Sequence, residues 1–122
     1  MTPARFKALR ESLGLSTRWL AEYHRVNEST LQRWETGYSQ IPPGVVAEFE
    51  QLEKAFQRTI DIGIDGVKLT RENGEEALVL VPENDPAPVS PPDWPAPTRR
   101  MIGLIIANKT GAEMIYRPAE DS

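Results

Sequence analysis

Apolar residues recur at helical spacing through the first half of the chain, and that rhythm becomes irregular after residue 63. Phe6, Leu9, Leu13 and Leu15 form one stripe, with Arg5, Lys7, Arg10 and Glu11 off it. Thr2 and Pro3 fit the N-cap and first position of that helix, and Gly14 its end. In residues 15–37, Leu15, Leu20, Ala21, Val26, Leu31 and Trp34 fall where two short crossing helices joined by a tight turn would face each other. Ser16 opens the first of these and Asn27 the second, each with a side-chain oxygen able to accept an orphan N–H; Thr30 lies on the second helix's first turn. Gly37 stops the second by allowing a left-handed residue. After a loop stiffened by Pro42 and Pro43, Val45, Phe49, Leu52, Phe56 and Ile60 are spaced 4, 3, 4 and 4 along a longer helix. Such a seam fits a core and a partner helix equally well.

Beyond Gly63 the pattern predicts different elements. Residues 67–70 alternate, 72–75 have turn composition and 77–81 are an apolar run, which together predict a β-hairpin. Residues 82–97 contain seven prolines and predict an extended surface loop, with Trp94 available to pin it to the body. The run from 98 to 117 reads in two ways. One is a helix capped at Thr98 and ending at 108–111, followed by a strand at 112–117; the other is two strands around 108–111. Thr98 favours the helix, while Arg99 and Arg100 on its first turn oppose the helix dipole.

Composition narrows the function. No run of about 18 apolar residues is present, so no membrane span is expected, and residues 1–13 lack the apolar core of a secretory signal. The absence of cysteine rules out disulfides and thiolate chemistry and agrees with a cytoplasmic location. One histidine argues against a structural zinc site, and no cofactor is expected. With no Gly-rich phosphate loop and no motif-spaced carboxylates, the sequence also argues against an enzyme. Net charge is −4 but unevenly placed. Residues 1–40 carry 6 basic and 4 acidic side chains, net +2, whereas residues 41–122 carry 8 and 14, net −6. That asymmetry puts a phosphate-facing surface at the N-terminal end.

The wording of residues 15–37 resembles the helix-turn-helix of the XRE family, the phage repressor and Cro-like regulators. Leu15-Ser16, Leu20-Ala21, Val26, Ser29-Thr30, Arg33-Trp34-Glu35 and Gly37 all fit its pattern without a gap. Thr17, where Gln is usual, His24, where an apolar residue is usual, and Arg25, where the turn normally has Gly, depart from it. A non-Gly residue there carries a local backbone cost. The resemblance implies an α+β protein: an all-α, lambda-repressor-like DNA-binding domain over residues 1–61, then a small mixed α/β domain over 62–122 serving dimerisation.

By position in the family's motif, Glu28, Ser29, Gln32 and Arg33 would read base edges in the major groove. Arg33 suits guanine and Gln32 adenine, while Glu28 could accept from cytosine or orient a neighbouring arginine. Ser16, Thr17, Arg18, Asn27, Thr36, Tyr38 and Gln40 stand where phosphates would be met. Trp34 and Glu35 are expected to be structural, Trp19 to be covered by the C-terminal part, and His24 to be a helix-packing residue. The resemblance further implies a homodimeric repressor on double-stranded DNA with an inverted-repeat operator. The segment WETG-x-x-x-x-P and the two-part architecture are similar to phage or mobile-element regulators, among them the anti-CRISPR-associated autoregulators. Some of these also bind RNA, which leaves an RNA partner open. The alternative is an antitoxin or adaptor whose C-terminal half binds a protein, DNA binding then serving autoregulation.

Overall fold

The computed structural model describes residues 1–85 and 89–118. Residues 86–88 of the Pro-rich segment lie outside the described residues. The elements run α1 (Pro3–Ser12), α2 (Thr17–His24), α3 (Glu28–Thr36), α4 (Pro43–Glu72), β1 (Leu78–Val81), α5 (Ala96–Thr110) and β2 (Glu113–Tyr116). An N-terminal helical region thus precedes a helix and two strands, an α+β arrangement. Among the described residues, no helix is long and apolar enough to cross a membrane.

The expected start of α1 and the expected core positions of the N-terminal helices are found. Thr2 caps α1 by accepting from the Arg5 N–H, with Pro at the helix start. Phe6, Leu20, Leu31 and Phe49, each fully buried, meet at the centre of the first four helices. The seam of α4 is filled within the chain: Val45, Phe49, Leu52, Phe56 and Ile60 are all core residues, so it is not a partner-helix surface.

The predicted hairpin is not formed. Residues 67–70 are the last turns of α4, and 73–75 close its C-terminus, where the Glu75 N–H donates to the Thr70 carbonyl at 3.1 Å. Four alternating residues are too few to outweigh a helical period that continues through the buried Ile60 and Val67. Gly63, which looks like a break, is instead a point of close approach: a Cβ there would overlap the Ile106 side chain of α5. α4 is therefore continuous across residues 61 and 62.

Only Leu78–Val81 becomes a strand, and it pairs in parallel with β2, Leu80 facing Ile115 and Val81 facing Tyr116. Parallel neighbours need a long crossover, and α5 supplies it. Val79 and Val81 turn toward α5, where Gly103 leaves room for them. Of the two readings of 98–117, helix then strand is the one found, but the cap is misplaced. The helix starts at Ala96, and Thr98 is fully buried inside it rather than at its end. The Ala96 N–H is accepted by Asp85 Oδ1 at 2.6 Å. The first-turn arginines are used elsewhere: Arg99 Nε donates to the Trp94 carbonyl at 2.8 Å and Arg100 to that of Glu83 at 2.7 Å. These bonds tether the proline-rich segment, which offsets their unfavourable place on the dipole.

Candidate nucleic-acid interface

Two short helices acquire a fixed relation through their ends. Ser16 Oγ accepts from the Trp19 N–H at 3.0 Å and so caps α2. Arg25 adopts the left-handed conformation at φ 59°, ψ 42°, which turns the chain toward α3. Its strain is held by the Arg25 N–H donating to Glu22 and the Val26 N–H donating to Ala21. Asn27 has the extended backbone of an N-cap, but its side chain makes no capping bond, contrary to its expected role. Gly37 ends α3 in the left-handed region as expected.

α3 is anchored from below. Leu31 and Trp34 are buried, and Glu35 receives two hydrogen bonds from the Arg10 guanidinium, at 2.7 and 3.0 Å. Arg10 also donates to the Leu15 carbonyl at 2.9 Å, so one side chain joins α1, α3 and the entry to α2. The hydrogen bond with Glu35 raises the Arg10 pKa against the opposing effect of burial. Nothing in the sequence pattern marks Arg10 as the partner of Glu35, because 25 residues separate them.

The opposite side of α3 faces outward. Glu28, Ser29, Gln32, Arg33 and Thr36 are all exposed, and their spacing puts them on one side of the helix. Ser29, Gln32, Arg33, Thr36 and Tyr38 line a shallow hollow. The Arg33 guanidinium lies over the Tyr38 ring, 5.6 Å from its centroid, on a tyrosine that is 80% exposed.

The residues matched to phosphates are divided among several local roles. Thr17 is half-buried and its hydroxyl donates to Glu28 Oε2 at 2.9 Å, linking the starts of α2 and α3. Arg18 lies within 3.7 Å of Glu22 one turn on, both exposed. Ser16, Asn27, Thr36, Tyr38 and Gln40 are exposed around the ends of α2 and α3. The Thr17–Glu28 bond was not legible in the sequence, and it gives Glu28 a fixed orientation that spacing alone could not supply.

The residues expected to be structural are so. Trp34 is core. Trp19 is covered by the C-terminal part: its ring stacks on Trp94 at 5.9 Å and its Nε1 donates to the Asp93 carbonyl at 3.1 Å. Trp94 in turn meets Phe56 edge-on, so it does pin the loop. His24 is buried among Phe6, Tyr23, Trp34 and Phe49, with Nδ1 2.9 Å from Glu48 Oε2. Burial lowers the His24 pKa, and Glu48 only partly opposes the shift. Among the described residues, no cluster of His, Asp or Glu could hold a metal ion.

A search of curated proteins finds no match. Residues 4–52 match a family model described as a helix-turn-helix domain. The matched stretch runs from the second residue of α1 through α2 and α3 into the first part of α4, including Ser16, Gly37 and the whole outward face of α3. The model matched is of the XRE/Cro-like helix-turn-helix type, so the first part of the chain is similar to DNA-binding domains of that type.

Proposed function

We propose that this chain is a sequence-specific transcription regulator that represses its own operon as a homodimer. α3 lies in the major groove, and Ser29, Gln32 and Arg33 read base edges while Glu28 is oriented by Thr17. The observation that carries this reading is the outward face of α3, five polar side chains on one side of a helix whose other side is locked by Leu31, Trp34 and Glu35. A helix so presented fits the groove of B-DNA. Ser16, Arg18, Asn27, Thr36, Tyr38 and Gln40 meet phosphates at the rims. The net charge of residues 41–122 is negative, which turns the first domain toward the duplex. One recognition helix covers few base pairs, so two copies read inverted half-sites about 34 Å apart.

Footprinting on the DNA upstream of its own gene, with salt-dependent titrations, tests this. Arg33→Ala should lose discrimination between operator and random DNA by about 1–3 kcal/mol. Arg18→Ala should weaken all sequences alike and flatten the salt slope by about one counterion. Equal loss of discrimination in both variants would overturn this sorting of contacts, and absence of any footprint would overturn the regulator itself.

A further inference from the structure

Among the described residues, β1 and β2 form a sheet of two strands, and no further strand lies on the outer edge of β2. The Arg117 N–H donates to the Val81 carbonyl at 2.8 Å, so residues 113, 115 and 117 direct their backbone groups toward β1. By alternation, Met114 and Tyr116 direct theirs away from it. Among the described residues no hydrogen bond reaches those outward groups. A two-stranded sheet is marginal alone, and an unpaired edge is a template for another strand.

We infer that this edge pairs with β2 of a second copy, antiparallel about a two-fold axis at Ile115, to make a four-stranded sheet. The register follows from the backbone. Directly opposed residues that exchange hydrogen bonds must both face outward, which Met114 and Tyr116 of the partner subunit do. Of the two-fold registers, centring on Ile115 matches both outward residues of β2 with the partner's two, giving four hydrogen bonds. Ile115 then faces the partner's Ile115 in a non-hydrogen-bonded pair. The same register sets Glu113 against Arg117 of the partner subunit, and the reverse, so the charges flanking the edge are complementary to themselves. Leu80, the neighbour of Ile115 on β1, is 45% exposed. Pairing extends it into an apolar row, Leu80–Ile115 and then the same two residues of the second copy. This interface deepens the homodimer part of the proposed function and rests on it. The axis it creates is the one that inverted half-sites require.

The full chain contains no cysteine, so Ile115→Cys introduces a lone thiol. Opposed Cα atoms in such a pair lie about 4.5 Å apart, within disulfide range. Mild oxidation should therefore cross-link Ile115→Cys into a covalent dimer but leave Glu113→Cys single. Tyr116→Pro removes two of the four bonds without touching the β1 pairing. It should raise the dimer dissociation constant by roughly tenfold or more at an unchanged melting profile of the monomer. Glu113→Arg should weaken the dimer by roughly tenfold, and adding Arg117→Glu should restore it. Sedimentation reads the association. A dimer that ignores Tyr116→Pro, or that cross-links at Leu78→Cys instead, overturns this interface and leaves the dimeric regulator standing. A monomer at tens of micromolar overturns the interface and the homodimer together, while the dependence of DNA binding on Arg33 is read separately.

Discussion

The first three helices with the start of α4, and the unit made by the later turns of α4 with α5 and the strands, are held by different means. Among α1, α2, α3 and α4, charged and polar side chains cross from one element to another: Arg10 to Glu35, His24 to Glu48, and the Tyr23 hydroxyl to the Glu48 carbonyl at 3.1 Å. Between α4, α5 and the strands the contact is apolar, and the backbone comes close at Gly63 and Gly103. Polar side chains there serve backbone groups of the loops and helix ends, as Arg71 does for the Thr110 carbonyl at 2.7 Å. Directional bonds fix α3 at a defined angle, which the proposed role in the major groove requires. Apolar contact fixes volume and leaves the outer strand edge to whatever pairs with it.

The comparison breaks most visibly at Arg10. Its side chain and that of Glu35 are only 12% and 6% exposed, so Arg10→Met would leave a buried carboxylate without a partner. The expected loss is about 3–5 kcal/mol, read as a shift of the urea midpoint. Arg18→Ala removes an exposed pair on α2 and should change stability by no more than about 0.5 kcal/mol. Similar losses in both would mean that the network does not hold the domain.

In the second unit the glycines give the sharper test. A Cβ at Gly103 would overlap Val81, whose branched side chain has little freedom to move. Gly103→Val should cost about 1–3 kcal/mol despite the better helix propensity. Gly66 lies inside α4 with open space where a Cβ would stand, so Gly66→Ala should stabilise by roughly 0.5–1 kcal/mol. Thermal unfolding of the two variants should shift in opposite directions.

The same difference explains what could be read from the chain. In the first unit, local signals and tertiary structure agree: Thr2 and Ser16 cap, Gly37 terminates, and apolar stripes face the core. Asn27 is the exception, a cap by backbone only. In the second unit, local signals were outweighed by packing. Gly63 reads as a break because the partner it accommodates, Ile106, is 43 residues away. Val79 and Val81 read as half of a hairpin because their true neighbours come after α5. At the candidate site, the shared exposed face of Glu28, Ser29, Gln32 and Arg33 was legible from helical periodicity. The bonds that orient them, Thr17 to Glu28 and Tyr38 under Arg33, depend on contacts that no spacing rule predicts.

The smallest expected effect concerns His24, the buried ionisable ring of the first unit. Its folded pKa lies below the ordinary value of 6.5, chiefly because burial disfavours the imidazolium. The unfolded chain therefore binds this proton more readily than the folded one. The stability that His24 leaves intact above pH 6.5 is lost as pH falls from there toward the lower folded value. Nε2 is buried without a partner among the described residues, so protonation finds no new acceptor on that side. Glu48 at Nδ1 moderates the loss without reversing it. His24→Leu should remove the decline in stability between about pH 6.5 and 5, above the range where ordinary carboxylates titrate. Its Glu48 partner is half exposed and stays hydrated in the variant, so the substitution should leave stability at pH 7.5 within about 1 kcal/mol. Denaturant titrations at pH 7.5 and 5.5 would check this. An unchanged slope in the variant would mean that Glu48 holds the imidazolium as firmly in the fold as water does outside it.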